Sequence, residues 1–279
     1  MKFKLVAVDL DGTLLNKKEE IGKQTMELVK EAIAKGVKFA MCSARMYLPT
    51  KYYNVQIDKH QPVITSNGGL ITEYEKVISS YPIASDELIE IITVAREEKE
   101  GIYFSFGHGS YLKNYICTNI DGFARYIRYE YNQMVYPEFR VDARLLKDPI
   151  RYITKNNIET YIISFVDENP LVLERLKGRL KRLNKYEITS SEANNIEITQ
   201  KDVSKGNALK ILANHYGYSI DECIAVGNDR NDLSMIKVAG LGVAMKNSSS
   251  YIKEHANYIT EHDNENEGVA EVIKRFILL

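Results

Sequence analysis

Two aspartates two residues apart, followed by glycine, stand where a short apolar run near the start of the chain ends: Asp9-Leu10-Asp11-Gly12-Thr13-Leu14. Carboxylates so placed can share a phosphoryl transfer. One attacks phosphorus to form an acyl phosphate. The other protonates the leaving oxygen, then takes a proton from the water that cleaves the intermediate. A magnesium ion, held by oxygen ligands and water, would keep the negative partners together. Gly12 leaves room for backbone N–H groups to face phosphate oxygens. The same pattern also makes an ordinary acidic turn. It does not complete a calcium loop: Glu20 stands at the twelfth position, but the alternating ligands stop at Thr13.

Further polar residues stand at matching places along the chain. Ser43 can donate a hydroxyl hydrogen bond to a phosphoryl oxygen, or cap a helix. Lys205, near a helix start, offers positive charge where charge spreads in the transition state, or is a solvated surface lysine. Asp232 can complete a magnesium site, and Asp229 or Asp232 can equally be an N-cap. Singly each residue reads more simply as structural, but four polar clusters in this order point to one site.

The elements that must position them follow from hydrophobic pattern. Residues 3–9 are a β-branched apolar run suited to a buried parallel strand. Residues 23–35 carry Met26, Val29 and Ile33 at helical spacing and end at Gly36. Strands are expected at 37–42 and 63–66, and after 204 a helix at 205–216, a strand at 223–226, a helix at 232–239, a strand at 241–244 and a helix at 268–277. This rhythm is that of a doubly wound α/β sheet, which binds ligands at the carboxyl ends of its strands. The tyrosine-rich middle reads differently. Helices are expected at 85–100 and 170–183, and strands at 102–106, 111–117, 160–166 and 186–189. Gly107-His108-Gly109-Ser110 is read as a hairpin turn with a solvated histidine.

Bulk properties narrow the function. A length of 279 residues suits two domains. Net charge is −1, from 37 basic and 38 acidic residues, so no long-range field draws the chain to nucleic acid or an anionic membrane. Cys42, Cys117 and Cys223 are far apart and lack zinc spacing, which suits buried thiols in a reducing compartment. With no signal peptide or membrane span in view, cytoplasm is the default. The oligomeric state is left open.

At this point the chain resembles the Cof-type members of the haloacid dehalogenase-like hydrolases over nearly its full length. The resemblance rests on residues 9–14, Ser43-Ala44-Arg45, Ser66-Asn67-Gly68, Val203-Ser204-Lys205-Gly206 and residues 227–232. It implies a Rossmann-like doubly wound parallel-sheet core, residues 1–82 and 191–279, with an inserted α+β cap domain, residues 83–190, over the active site. It further implies a magnesium-dependent phosphatase acting on small phosphorylated metabolites, sugar phosphates among them, through an aspartyl-phosphate. Asp9 would be the nucleophile and Asp11 the general acid/base. Gly12, Ser43, Arg45, Asn67, Lys205 and Asn231 would serve phosphate or substrate. Mg2+ would be held by Asp9, the Asp11 backbone carbonyl, Asn228 and Asp232.

Two departures stand out. Ser43-Ala44-Arg45 replaces the usual Thr-Gly-Arg and keeps both functional groups. Asn228 replaces an aspartate expected to ligate metal, which implies a raised magnesium requirement. Two alternatives stay open: a phosphomutase of the same superfamily, and a non-catalytic phosphate-ligand-binding protein.

Overall fold

The first strand, β1 (Leu5–Val8), has no polar side chain and is buried along its whole length, as a strand covered on both faces must be. Along the chain follow β2 (Lys38–Cys42), β3 (Pro62–Thr65), β4 (Leu70–Glu73), β5 (Lys76–Ser80), β6 (Tyr103–Ser110), β7 (Lys113–Thr118), β8 (Asp142–Leu145), β9 (Ile163–Val166), β10 (Tyr186–Thr189), β11 (Asn195–Gln200), β12 (Cys223–Gly227), β13 (Leu241–Ala244) and β14 (Tyr258–Ile259). This computed structural model describes residues 2–74, 76–110, 113–191 and 194–279.

The chain divides into two units: residues 1–45, 53–80 and 204–279, and residues 46–52 and 81–203. The first holds the sheet β14-β13-β12-β1-β2-β3-β4-β5. Its pairs from β14 to β3 are parallel, and β4 and β5 close the edge antiparallel. The expected α/β class with a parallel-rich sheet is what the chain adopts. Its short helices and the β4–β5 edge were not resolved by periodicity, because Gly68-Gly69 and an exposed β5 interrupt the apolar pattern.

Register sets up the site. Val8 lies level with Met41 and with Val226. The ladder runs on past the strands: Asp9 N–H donates to the Val226 carbonyl, and Ser43 N–H to Ile64. The first residues after β1 and β2 are therefore held by the same ladder as the strands. The helix Lys205–His215 begins at Ser204, whose hydroxyl accepts the Asn207 N–H at 3.2 Å, a cap worth about 1 kcal/mol. Ala208, Leu209, Leu212 and Ala213 pack on Leu5, Ala7, Ala40, Cys223 and Ala225. That burial anchors the helix and so fixes where its first residue, Lys205, starts.

The second unit is an α+β body with sheet order β10-β11-β9-β6-β7-β8. Helix Pro170–Leu183 shows how local signals write it. Asn169 caps it, Pro170 opens it, and Asn184 at φ 53° ends it. Its buried Val172, Leu173, Leu176 and Leu180 join Leu88, Ile91 and Ile92 of helix Ser85–Glu98 in one core. β11 pairs with β10 and β9, so the 190/191 edge read from the sequence falls between two strands of one sheet. Its Ile196 and Ile198 alternate with Glu197, and all three are buried.

The expected turn at 107–110 is corrected. These residues lie in β6 and pair with β7, Ser110 opposite Lys113; Tyr111 and Leu112, read as the start of the next strand, lie outside the described residues. Glycine marked a turn in the sequence, but here a Cβ at Gly107 would meet the Met46 side chain at 2.0–2.9 Å, so that side chain would have to move aside.

His108 is half-buried rather than fully solvated. Its ring stacks on Tyr115 at 4.9 Å, and Nε2 lies 3.3 Å from the Tyr152 hydroxyl. Burial, then the Arg144 cation, lowers its pKa to about 4. The unfolded chain titrates near 6.5, so it takes up a proton between those values that the folded chain refuses. The stabilising contribution is full above about pH 6.5 and is lost as pH falls toward 4. His108→Gln is expected to flatten the fall in Tm between pH 7.5 and 5; an equal fall in both proteins would count against this.

Candidate active site

Asp9, Lys205 and Asp232 form a buried ion triad. Lys205 has no exposed surface, and its Nζ lies 2.6 Å from Asp9 Oδ1 and 2.6 Å from Asp232 Oδ1. Strand β1 places the first aspartate, a helix start the lysine and the loop after β12 the second aspartate. Burial, then the charge of Asp232, raises the Asp9 carboxyl above its usual range, and Lys205 offsets only part of this. Burial alone would lower the Lys205 ammonium, but Asp232 and Asp9 outweigh it and hold it raised. Two carboxylates share one cation, so the triad retains a surplus negative charge.

Asp232 is engaged at both oxygens. Oδ1 meets Lys205, and Oδ2 accepts N–H bonds from Asn228 at 2.9 Å and Asp229 at 3.0 Å. It thus folds the loop that presents Asn228. Asp229 accepts the Arg230 N–H and caps the following turn.

The end of the Asn228 side chain sits among oxygens. One terminal atom lies 2.8 Å from Thr13 Oγ1, 2.9 Å from the Asp11 carbonyl oxygen and 3.2 Å from Asp9 Oδ2. Gly12 makes this approach possible: its φ is +73°, and a Cβ would meet Asn228 at 2.6 Å. Its carbonyl accepts from Asn247 at 2.8 Å. With the amide oxygen inward, a carboxylate, a backbone carbonyl and an amide oxygen converge, a hard-oxygen set of the kind Mg2+ takes. No cluster of three His, Cys, Asp or Glu side chains among the described residues is arranged for a metal; the set here needs a backbone carbonyl and an amide.

The remaining candidates fall into two pairs. Ser43 is buried, and its Oγ accepts the Arg45 N–H at 3.0 Å. Arg45 grips Asp11 with two bonds, Nε to Oδ2 at 2.9 Å and Nη2 to Oδ1 at 2.6 Å, and reaches Glu19 at 3.4 Å. Asn67, in a left-handed conformation at φ 55°, accepts from Asn231 at 3.3 Å, and both are buried. Gly68 lets this turn approach the lysine helix, since a Cβ there would stand 2.6 Å from the Ser204 carbonyl oxygen. Cys42 beside the triad has its thiol pushed up by burial and stays neutral.

Thr13 and Asn247 escaped the sequence reading. Thr13 lies inside the first motif, and Asn247 comes just after β13, so the rule that sites gather past strand ends would have found both. Glu19 carried no such signal.

A family model described as haloacid dehalogenase-like hydrolase matches residues 6–273. Among curated relatives, "Putative phosphatase YxeH" of Bacillus subtilis is 31% identical, with 99% of each chain covered. The 5-amino-6-(5-phospho-D-ribitylamino)uracil phosphatase YwtE of the same organism is 30% identical, covering 99% of this chain and 98% of its own. A solved haloacid dehalogenase-like hydrolase from Bacteroides thetaiotaomicron superposes with a TM-score of 0.79 at 26% identity, covering 98% of this chain and 99% of that one. No helix among the described residues is long and apolar enough to cross a membrane.

Proposed function

This chain belongs to the haloacid dehalogenase-like hydrolase family, an enzyme family whose curated relatives here are named phosphatases, and we propose that it hydrolyses small phosphorylated metabolites of the sugar-phosphate kind with Mg2+ as cofactor. The observation that carries this is the buried triad, in which Lys205 holds Asp9 at a strand end beside a convergent set of oxygens. The relative named for a phosphoribitylamino substrate supports the substrate class.

In this reading an Asp9 carboxylate oxygen attacks phosphorus, and the bond to the leaving oxygen breaks. Asp11 gives that oxygen a proton. Asp11 then takes a proton from the water that attacks the aspartyl-phosphate, freeing inorganic phosphate and restoring Asp9. Both Asp11 oxygens are held by Arg45, so at least one bond must pass from Asp11 to the incoming phosphate before Asp11 can act. Ser43, Asn67 and Asn231 are assigned to phosphate and substrate, as is Gly12 through its backbone. Asp9, the Asp11 carbonyl and the Asn228 amide oxygen would hold Mg2+, which offsets the negative charge shared by the triad and the phosphoryl group. Asp232 is assigned to positioning instead of ligation, because Lys205 and two N–H groups already occupy its oxygens. The three cysteines are free and buried, which suits a cytoplasmic enzyme; neither nucleic acid nor membrane is a proposed partner.

The test is release of inorganic phosphate from a panel of sugar and sugar-alcohol phosphates, with magnesium and with chelator. Magnesium-dependent release is expected. Transfer of phosphate between substrate positions with none released would favour a phosphomutase, and inertness with every substrate would favour a binding protein.

A further inference from the structure

We propose that the Asn228 amide stands in for the cation when none is bound: its nitrogen turns inward and links Thr13, the Asp11 carbonyl and Asp9, and a divalent cation enters only as the amide turns its oxygen inward. This rests on the metal reading above for its second half alone.

The geometry points there directly. A carboxamide fills the same volume in either orientation, so its surroundings decide which way it faces. Nitrogen inward, it donates within 2.8 Å of Thr13 Oγ1, 2.9 Å of the Asp11 carbonyl oxygen and 3.2 Å of Asp9 Oδ2. Oxygen inward, it keeps only the Thr13 hydroxyl as donor and sets an acceptor against two further acceptors. Two N–H groups thus meet a cluster of oxygens that would otherwise need a cation. The contact is built: Gly12 admits the amide at a distance that no side chain would allow, and the Asn228 N–H is pinned by Asp232 Oδ2.

A carboxylate at position 228 has no such choice. It would add a charge beside Asp9 and the Asp11 carbonyl in a region where Asp9 and Asp232 already share a single lysine. Without metal such a site repels itself, and with metal it binds more tightly. Asparagine therefore trades metal affinity for a site that is ordered without metal, and the cation must displace hydrogen bonds to enter.

The experiment is thermal unfolding of the full chain and its Asn228→Asp and Asn228→Ala variants, in EDTA and across a magnesium titration. In EDTA both variants are expected to melt lower than the wild type, by roughly 5 °C from the loss of two or three hydrogen bonds in a chain of this size. Magnesium is expected to raise the melting temperature of Asn228→Asp further, and with half-saturation at roughly tenfold lower concentration, than that of the wild type. Variants as stable as the wild type in EDTA overturn the stand-in. Equal half-saturation in the wild type and Asn228→Asp overturns the displacement. If the EDTA order holds and no protein responds to magnesium, the amide link stands and the metal reading fails.

Discussion

Asp9→Asn is expected to lower kcat by at least about a thousandfold with no loss of fold. The amide has the shape of the carboxyl group but is no nucleophile toward phosphorus. It also removes one of two negative charges that share Lys205, leaving a one-to-one pair between Lys205 and Asp232. Since burial and Asp232 already work against the charged form of Asp9, Tm should stay level or rise. Initial rates of phosphate release and a melting curve on the same preparation check both halves. A variant keeping more than a tenth of wild-type turnover would remove Asp9 from the covalent route. A variant that loses both rate and Tm would show that Asp9 supports the fold.

Lys205→Met is expected to damage both function and fold. The side chain is fully buried, and its single charge is shared by two carboxylates. Its loss leaves buried negative charges facing each other, and breaking such a group costs about 3–5 kcal/mol. For a chain of this size that is a fall of roughly 6–20 °C in Tm. Turnover should vanish, since the charge that would meet the phosphoryl group is gone. Adding Asp232→Asn should recover part of the lost stability, because one stranded carboxylate becomes a neutral amide, while turnover stays absent. A double variant no more stable than Lys205→Met would mean that charge is not what the lysine supplies.

Reading from the chain succeeded where a local signal has one structural meaning. The apolar run at residues 3–9 suits a buried strand, and residues 5–8 form one, with the acidic pair following its end. Ser204 ahead of an apolar repeat predicts a helix starting at Lys205, and the helix expected at 170–183 forms with the same bounds. Glycine misled at Gly107 and Gly109: both lie within β6 and pair with β7. At Gly107 the Met46 side chain fills the place a Cβ would take, a contact visible only in the packing.

By itself, then, the sequence determined the layout: which residues end strands, which open helices, and that the polar ones among them recur in an order suited to phosphoryl transfer. Tertiary structure alone decided how they pair. The types Arg, Asp and Asn do not say that Arg45 holds Asp11, that Asp232 spends its oxygens on a lysine and two backbone N–H groups, or that Asn228 reaches the Asp11 carbonyl. A side chain's role depends on its partner. Those partners lie 34 residues away for Arg45 and Asp11, and 196 for Lys205 and Asp9, and only the register of parallel strands together with the packing of a helix on them brings them to within a hydrogen bond.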